Sequence, residues 1–319
     1  MPTRLHIPLQ NVRQREARRT LESSVPELPD VVVYVESLAQ YLVGRRLDRI
    51  RLVSPFVLRS VAPPVEQANG SAVRAVHRIG KRIVLELDGD LFLVLHLMIA
   101  GRLRWRGPGE KPRIGPRLIL AVFEFEHGAI YFTEASSKKR ASLEVVAGRA
   151  RLRDVDPGGL EPLDAPLDLF RAALTRESHT LKRALTDPRA FSGIGNAYSD
   201  EILHAARLSP LKLSRSLSEE EIARLHDAVR TTLGSWIVRL RADANGRFPE
   251  KVTAFRPGMA VHGRFRQPCP VCGAPVQRIV YAENECNYCA RCQTAGRLLA
   301  DRSLSRLLKE DWPRSIDEL

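Results

Sequence analysis

Several features are missing from this chain. It has no run of about 18 or more apolar residues, so we do not expect a membrane-spanning helix. Its N-terminus lacks an apolar signal core followed by a small-residue cleavage site. Cysteine is absent before residue 269, and all five cysteines lie between Cys269 and Cys292. Scattered pairs are typical of disulfides in a secreted protein, whereas one cluster in a cytoplasmic protein is typical of a metal site.

Positive charge is in excess. The 319 residues carry 50 Lys and Arg against 37 Asp and Glu, which gives a net charge of +13. This balance favours a polyanionic partner, either a nucleic acid or an anionic membrane surface. A solubility charge spread evenly over the surface is the alternative, and charge alone does not separate the two. The length is sufficient for two domains with cores of their own.

The part of the chain up to residue 147 predicts one helix followed by a β-sandwich or barrel. Apolar residues recur at helical spacing from Val31 to Leu42, after Pro29 and Asp30. Short strand-like runs come next, and a turn at Glu126–Gly128 separates the last two. The runs are Ile50–Val53, Ala72–Val76, Arg82–Leu87, Leu91–Leu95, Leu118–Phe125 and Ala129–Thr133.

The part after residue 147 predicts helices and then a cysteine-bearing hairpin. Ser218 and Glu221 have the spacing of a capping box, and an apolar stripe at helical spacing follows them. The fold class expected is therefore α+β and multidomain. The segments expected are an extension at 1–25, disordered or outside the working protein, a β-sandwich at 26–147, a linker at 148–165, a helical domain at 166–258, a cysteine-bearing hairpin unit at 259–293 and a partly helical tail at 294–319.

The cysteine spacing predicts one structural Zn²⁺. Cys269 and Cys272 form one C-x2-C pair, and Cys289 and Cys292 form another, with sixteen residues between the pairs. Two such pairs on a hairpin bring four thiolates to one ion and leave no open position for catalysis. Cys286 and Cys289 form a competing pair. It would close a shorter loop, so we assign Cys286 as a buried thiol.

Five motifs carry a resemblance to one family. Pro26-Glu27-Leu28-Pro29-Asp30-Val31 resembles the start of mature formamidopyrimidine-DNA glycosylases. Four more matches follow in the family's order, namely Lys81 within Arg78–Arg82, the turn His96–Gly101, the stretch Gly193–Glu201, and Val261–Arg264 before the zinc hairpin. The chain is identified as a divergent member of the formamidopyrimidine-DNA glycosylase and endonuclease VIII family. The resemblance implies that 26–147 is a catalytic β-sandwich, that 166–258 is a DNA-binding helix–two-turn–helix domain and that 259–293 is a zinc finger. It also implies a basic cleft between the first two domains.

The resemblance also implies base-excision repair in the bacterial cytoplasm by a monomeric DNA glycosylase and abasic-site lyase. Its substrate would be double-stranded DNA that contains damaged bases or abasic sites. A flipped nucleotide exposes its sugar C1′. A proline at a chain terminus has a secondary amine with a pKa near ~8 and can attack that carbon as a nucleophile. The iminium formed on Pro26 would then permit strand elimination, with Glu27 transferring protons.

DNA-binding roles are implied for further residues. The resemblance assigns phosphate contacts to Lys81 and Asn196, and less directly to Lys182. Gly195 would let the backbone approach closely, with amides at the next helix N-terminus facing a phosphate. Taken singly, Lys81 is also typical of a solvated strand lysine and Asn196 of a helix cap. We assign no chemistry to His96.

Pro26 is preceded by other residues, so its nitrogen is an amide without a nucleophilic lone pair. We therefore expect that Met1 is not the initiator. A GTG codon can start translation, but within a reading frame it specifies valine, the residue at position 25. Translation that starts at this codon, followed by removal of the initiator residue, would expose Pro26. Proteolytic trimming is the other route. Loss of Met1 would expose Pro2, but Thr3 follows it and supplies no carboxylate.

The chain also departs from the family at its DNA-reading loops. The family's arginine–phenylalanine wedge is absent, and Ile99 stands where a wedge methionine is usual. Lys138, Lys139 and Arg140 either contact phosphates or form a solvated turn. Asn284 replaces an arginine that contacts phosphates, and its amide can still donate.

Two other functions compete with the enzyme. The first is a non-catalytic damaged-DNA-binding relative with Pro26 blocked by the extension. The second is a zinc-ribbon RNA-binding protein that shares only the hairpin with this family.

Overall fold

The computed structural model describes residues 25–110, 113–136, 138–250, 256–281, 284–300 and 313–318. The expectations for the extension before residue 25, and for a helix spanning 304–312, lie outside the described residues. The same holds for the side chain of Asn284.

Helix α1, Leu28–Leu42, forms as its apolar spacing predicts. Glu27 occupies the N-cap position, and its N–H donates to Asp30 Oδ2 at 3.0 Å. The stripe Val31, Tyr34, Leu38 and Leu42 is buried in the core of the strand-rich half. Burial of one face stabilises a helix of this length more than intrinsic propensity does.

Eight strands follow and build two four-stranded antiparallel sheets, which confirms the predicted β-sandwich. Their orders are β1-β6-β7-β5 and β2-β3-β4-β8. The strands are β1 Leu47–Leu52, β2 Val73–Ile79, β3 Arg82–Leu87, β4 Leu91–His96, β5 Gly101–Arg106, β6 Ile119–Phe125, β7 Gly128–Glu134 and β8 Ser142–Ala147. Sequence analysis missed β5 and β8. Arginine alternates with apolar residues along β5, and its burial alternates in its first four positions, so no continuous apolar run marks it.

The stretch expected to be a linker contains a helix, α2, Arg149–Asp154. Its Leu152 packs with Val84, Phe92 and Val94 on the outer face of one sheet. The Gly-, Pro- and Asp-rich composition of 148–165 gave no indication of this short helix, and its assignment as a linker between domains stays a prediction.

Helices dominate the next part of the chain. They are α3 Leu167–Thr175, α4 Leu181–Thr186, α5 Asn196–Ala205 and α6 Glu219–Ala244. The predicted capping box at α6 is present, because Glu221 N–H donates to Ser218 Oγ and Ser218 N–H donates to Glu221 Oε2. Leu28 of α1 belongs to the helical core, so the first helix packs against both halves.

The C-terminal part is a hairpin of β9, Gln277–Tyr281, and β10, Asn284–Tyr288, followed by α7, Ala290–Thr294. The tail returns to this hairpin. Leu298 and Ile316 pack with Ile279 and Tyr288, and Arg297 pairs with Ser315 in a β-bridge. Among the described helices, none combines the length and apolarity needed to cross a membrane.

Candidate active site and zinc centre

The Glu27 side chain lies against the N-terminus of α5. Its carboxylate accepts hydrogen bonds from the backbone N–H groups of Gly195 and Ala197, both at 2.8 Å, and of Tyr198 at 3.1 Å. The residue is only 2% exposed. Amides at a helix N-terminus carry partial positive charge, which offsets the cost of burying this carboxylate. The sequence predicted that amides at this helix N-terminus face a DNA phosphate. Three of them bind the Glu27 carboxylate instead.

Pro26 is buried directly before Glu27. The segment is fixed in place because Leu28 N–H donates to Gly193 O at 2.9 Å, so residues 26–28 lie along the loop that leads into α5. In the 319-residue chain the Pro26 nitrogen is bonded to Val25.

Lys81 meets Glu27 at Gly195. The lysine is at the tip of the β2–β3 hairpin, in a two-residue turn with Gly80 at φ +59°. A Cβ placed on Gly195 would lie 2.3 Å from Lys81 Nζ and 2.4 Å from the Glu27 carboxyl carbon. Only glycine leaves room for both groups, so the close approach predicted for Gly195 is made by the protein's own side chains.

Burial lowers the pKa of Lys81, and the nearby Glu27 carboxylate opposes that shift. Within the described part of the chain, no hydrogen bond or ion pair is made by Lys81 Nζ. A half-buried lysine with a lowered pKa, adjacent to a buried carboxylate, is typical of a functional site.

A buried ion pair supports the same segment from the other side. Asp30 Oδ1 accepts from Arg256 Nη2 at 2.9 Å, while Asp30 Oδ2 accepts from the Glu27 N–H. Burial raises the pKa of Asp30, and Arg256 counteracts part of that rise. Sequence analysis did not single out Arg256, which is 226 residues from its partner.

Asn196 and Lys182 contact protein groups. Asn196 Nδ2 donates to the Glu285 carbonyl at 2.9 Å, which joins α5 to strand β10. Lys182 Nζ donates to the Asn196 carbonyl at 2.6 Å and forms an ion pair with Asp200. The two residues assigned to phosphates thus lie together beside Glu27, but these donors are already engaged.

Asp200 and Glu201 connect α5 to the zinc-bearing part, and sequence analysis gave neither a role. Asp200 Oδ2 accepts from His262 Nδ1 at 2.8 Å and from Asn287 N–H at 3.1 Å. Glu201 accepts from three consecutive amides, 260–262, at 2.6 to 2.9 Å. Both lie inside the Gly193–Glu201 motif, in a helix whose residues are mostly buried. Two adjacent acidic residues in such a helix were the sequence signal that could have indicated a structural role.

Four cysteine sulfurs form a metal site. The Sγ atoms of Cys269, Cys272, Cys289 and Cys292 all lie within 4.8 Å of one another. A tetrahedral Zn²⁺ with bonds of about 2.3 Å separates its sulfurs by about 3.8 Å. The Cys269–Cys292 and Cys272–Cys289 separations are 3.9 and 3.4 Å, so the four thiolates fit one structural zinc.

Cys286 is not one of the four clustered cysteines, in agreement with the preferred ligand set. It is 1% exposed, and burial with Asp200 nearby raises the pKa of its thiol well above the usual range. A residue that sequence analysis missed supports the site, because His204 Nε2 lies 3.3 Å from Cys269 Sγ. Such contacts orient a metal ligand.

The β4–β5 turn presents Ile99, which is half-buried. Met98 adopts φ +50°, and its N–H donates to His96 Nδ1 at 3.1 Å. Burial, with help from Arg82 and Lys81, lowers the pKa of His96 to about 4. The imidazole is therefore neutral at pH 7 and serves as an acceptor that shapes the turn.

The loop after β7 presents the three basic residues. Lys138 and Arg140 are exposed, while Lys139 Nζ donates to the Glu134 carbonyl. The Glu134 carboxylate, 1% exposed, accepts from the N–H groups of Arg140 and Ala141 and so sets the loop's shape. Asn284 is in β10 opposite Tyr281, and its side chain is outside the described residues.

Family models match three consecutive stretches of the chain. The formamidopyrimidine-DNA glycosylase N-terminal domain matches residues 25–139, the formamidopyrimidine-DNA glycosylase H2TH domain matches residues 159–242, and the zinc finger found in FPG and IleRS matches residues 266–295. The hypothesis of a protein that shares only the zinc hairpin is therefore wrong.

Whole proteins match as well. The formamidopyrimidine-DNA glycosylase of Heliobacterium modesticaldum is 33% identical over 282 residues, which is 84% of this chain and all of the relative. Two solved structures of Lactococcus lactis Fpg, one bound to DNA containing an abasic site and one to DNA containing FAPY-dG, are each 25% identical with a TM-score of 0.73. Each match covers 84% of this chain, and 99% and 100% of the respective structure. The chain belongs to the formamidopyrimidine-DNA glycosylase family.

Proposed function

We propose that this protein is a DNA glycosylase with abasic-site lyase activity, which removes oxidised bases from double-stranded DNA through the imino nitrogen of Pro26. The observation that carries the proposal is the meeting of the Glu27 carboxylate and the Lys81 amine at Gly195, with Glu27 following Pro26 directly in the chain. Solved complexes of Lactococcus lactis Fpg hold DNA that contains FAPY-dG and DNA that contains an abasic site. The first is a damaged base that the proposed glycosylase step would remove, and the second is the kind of site that the lyase step would cleave.

The reaction requires an unblocked Pro26. The lone pair of a free imino nitrogen attacks C1′ of the flipped nucleotide, and the base leaves with the bonding electrons and a proton. The amine proton is lost, and the C1′–O4′ bond then breaks with a proton transferred to O4′, which opens the sugar ring and leaves an iminium between C1′ and the proline nitrogen. This iminium withdraws electrons and acidifies the protons on C2′. Loss of one of these protons expels the 3′ phosphate, and a second elimination expels the 5′ phosphate. A tertiary amide cannot begin this sequence, so the active form is a chain whose first residue is Pro26.

Glu27 and Lys81 supply the proton transfers and the charge. Glu27 is held by three amides, so its carboxylate keeps one position while a proton is taken from or returned to the sugar. Lys81 is positioned to contact a phosphate or the departing base as an ammonium ion. Its lowered pKa also makes it a readier proton donor than an exposed lysine.

The remaining site residues contact DNA in this proposal. Lys138 and Arg140 are exposed, and their charge would neutralise backbone phosphates. Ile99 would fill space left by the flipped base. Lys182 acts indirectly, because its contact with the Asn196 carbonyl fixes the start of α5. The partly exposed remainder of Asn196 and the Asn284 side chain are proposed as weaker phosphate contacts.

Borohydride trapping on abasic-site DNA tests the proposal. A chain made to begin at Pro26 should form a covalent adduct that survives denaturation, and the same chain with its terminal nitrogen acetylated should form none. The 319-residue chain serves as the internally blocked control. Equal trapping of all three proteins, or trapping of none, would exclude the Pro26 mechanism.

A non-catalytic damaged-DNA-binding protein is the second candidate. The Val25–Pro26 peptide bond of the 319-residue chain favours it, because that bond removes the nucleophile while leaving the cleft intact. This candidate predicts tight binding to abasic-site DNA with no adduct from any form of the chain.

A further inference from the structure

The position of Lys81 depends on how the β2–β3 hairpin meets the helical part. Lys81 is in the two-residue turn between Ile79 and Arg82, the last paired residues of the two strands. A hairpin tip has no ladder hydrogen bonds beyond that pair. The ammonium nevertheless reaches Gly195, which belongs to a different part of the fold. Some contact must therefore join the hairpin to the loop before α5.

Arg78 makes that contact. It is in strand β2, three residues before Lys81, and its side chain is 13% exposed. Nη1 donates to the Gly80 carbonyl at 3.0 Å and to Ser192 Oγ at 3.0 Å, and Nη2 forms an ion pair with Glu161. One guanidinium thus joins the turn that carries Lys81, the loop before α5 and the segment before α3.

The acceptor loop is the same one that holds Glu27. Ser192 is 5% exposed, and its N–H donates to Leu160 O at 2.8 Å. The next residue, Gly193, accepts from Leu28 N–H, and Gly195 donates to the Glu27 carboxylate. The Arg78–Ser192 hydrogen bond therefore holds the turn that carries Lys81 against the loop that binds Glu27.

The side chain must be an arginine to do this. The guanidinium presents several N–H donors in a rigid plane, and two of its nitrogens here serve three acceptors. A lysine supplies one ammonium group without a fixed direction, so it can keep a bond to one or two of these acceptors but not the whole arrangement.

We propose that Arg78 is a positioning residue that holds the Lys81 hairpin against the loop before α5, and so sets the place of the Lys81 ammonium for damaged DNA. The inference rests on the proposed function, because it assigns Lys81 to a DNA contact. It does not require the Pro26 reaction to occur.

Affinity for damaged DNA in the 319-residue chain tests the inference. The probe is duplex DNA with a tetrahydrofuran abasic-site analogue, which cannot react with an amine. Arg78→Met and Lys81→Met should each weaken binding about tenfold, the effect of losing one charge-assisted hydrogen bond. The double variant should bind no more weakly than either single variant, because both changes remove the same contact.

The matched control is Arg74→Met. Arg74 is on the same strand, but it is 62% exposed and pairs with Asp88, away from the turn. This variant loses the same charge, and its effect should combine multiplicatively with that of Lys81→Met. Arg78→Lys should recover part of the lost affinity, and Ser192→Ala should lose several-fold. Multiplicative losses for Arg78→Met and Lys81→Met, or no loss for Arg78→Met, would overturn the inference.

Hydrogen exchange separates this inference from the proposed function. Amides of residues 80–82 and 192–195 should exchange faster in Arg78→Met and Ser192→Ala than in Arg74→Met, whether or not DNA is bound. Unchanged exchange refutes the inference even if the lyase reaction is demonstrated. Absence of lyase activity together with faster exchange refutes only the Pro26 reaction. If Arg78→Met does not fold, Ser192→Ala and Arg78→Lys decide by the same criteria.

Discussion

One buried site in the strand half, residues 25–147, and one buried cluster in the helical half, residues 166–300, treat charge differently. In the strand half, Glu27 is satisfied by neutral backbone amides, and Lys81 has no ion-pair partner among the described residues. In the helical half, Asp200 is paired with Lys182 and hydrogen bonded to His262. A cluster of paired charges is typical of a structural framework, whereas a buried cation without an ion-pair partner is available to a ligand. Changes at Asp200 and at the zinc ligands should therefore reduce stability first, and changes at Glu27 and Lys81 should reduce activity first.

The largest expected effect is loss of the metal from the helical half. Cys289→Ser should abolish stoichiometric zinc binding and unfold the hairpin, because structural zinc contributes on the order of 10 kcal/mol to such small units. Cys286→Ser is the matched control on the same hairpin and should retain one zinc per chain. Zinc content by mass spectrometry and the thermal unfolding curve are the measurements. Zinc loss from Cys286→Ser with retention in Cys289→Ser would contradict the assigned ligand set.

The second effect also concerns stability. Burial alone would raise the pKa of Asp200, but Lys182 and the His262 hydrogen bond lower it overall. Asp200→Asn leaves Lys182 without its buried counter-charge, so the free energy of unfolding should fall by about 3–5 kcal/mol. Chemical denaturation measures it. If the loss is below about 1 kcal/mol, the Asp200 network is not a framework, and the contrast between the halves fails.

The third effect is on activity. In a chain that begins at Pro26, Glu27→Gln keeps an acceptor oxygen for the α5 amides but cannot exchange a proton, so the single-turnover rate at saturating DNA should fall about 100-fold or more. The unfolding free energy should change by about 1–3 kcal/mol. Glu134→Gln is the matched control, because Glu134 is equally buried and also accepts backbone amides. It should change stability by a similar amount and the chemical step much less. Equal rate losses in the two variants would show that the Glu27 effect is merely structural.

The parts of the molecule that were predictable from sequence are those encoded within a few residues. The zinc ligands, the Ser218–Glu221 capping box and helix α1 each rest on spacings that local geometry fixes. The N-terminal β-sandwich followed because most strands are apolar runs, and β5 was missed because arginines occupy one of its faces.

The contacts that complete the site were not predictable, because their partners are far apart in the chain. Arg78 and Ser192 are 114 residues apart, and Gly195 and Glu27 are 168 apart. The helix N-terminus at Gly195 has the physical properties of an anion-binding site, and the sequence predicted that a DNA phosphate binds there. The fold supplies a closer anion, the Glu27 carboxylate. Only a known tertiary arrangement decides between a ligand and a side chain of the protein.

The smallest expected effect concerns His96 and the turn that carries Ile99. Burial, Arg82 and Lys81 lower the pKa of His96 from 6.5 to about 4, while an unfolded chain would keep a value near 6.5. A depressed folded-state pKa means that the unfolded chain takes up the proton first as the pH falls. The contribution of His96 to stability is therefore complete above pH 6.5 and is lost progressively between pH 6.5 and 4. At pH 5 the loss should be about 2 kcal/mol.

His96→Asn isolates this effect. Asparagine cannot be protonated in this range, and its side-chain oxygen can still accept a hydrogen bond from an amide two residues later, as His96 Nδ1 does from Met98. The difference in unfolding free energy between the two proteins should be constant above pH 6.5 and should shift by about 2 kcal/mol in favour of the variant by pH 5. Denaturation at closely spaced pH values measures this difference and cancels the contribution of carboxylates common to both proteins. A difference that stays constant from pH 7 to pH 4.5 would mean that His96 titrates alike in both states, so the strand half would hold an ordinary solvated histidine at the turn.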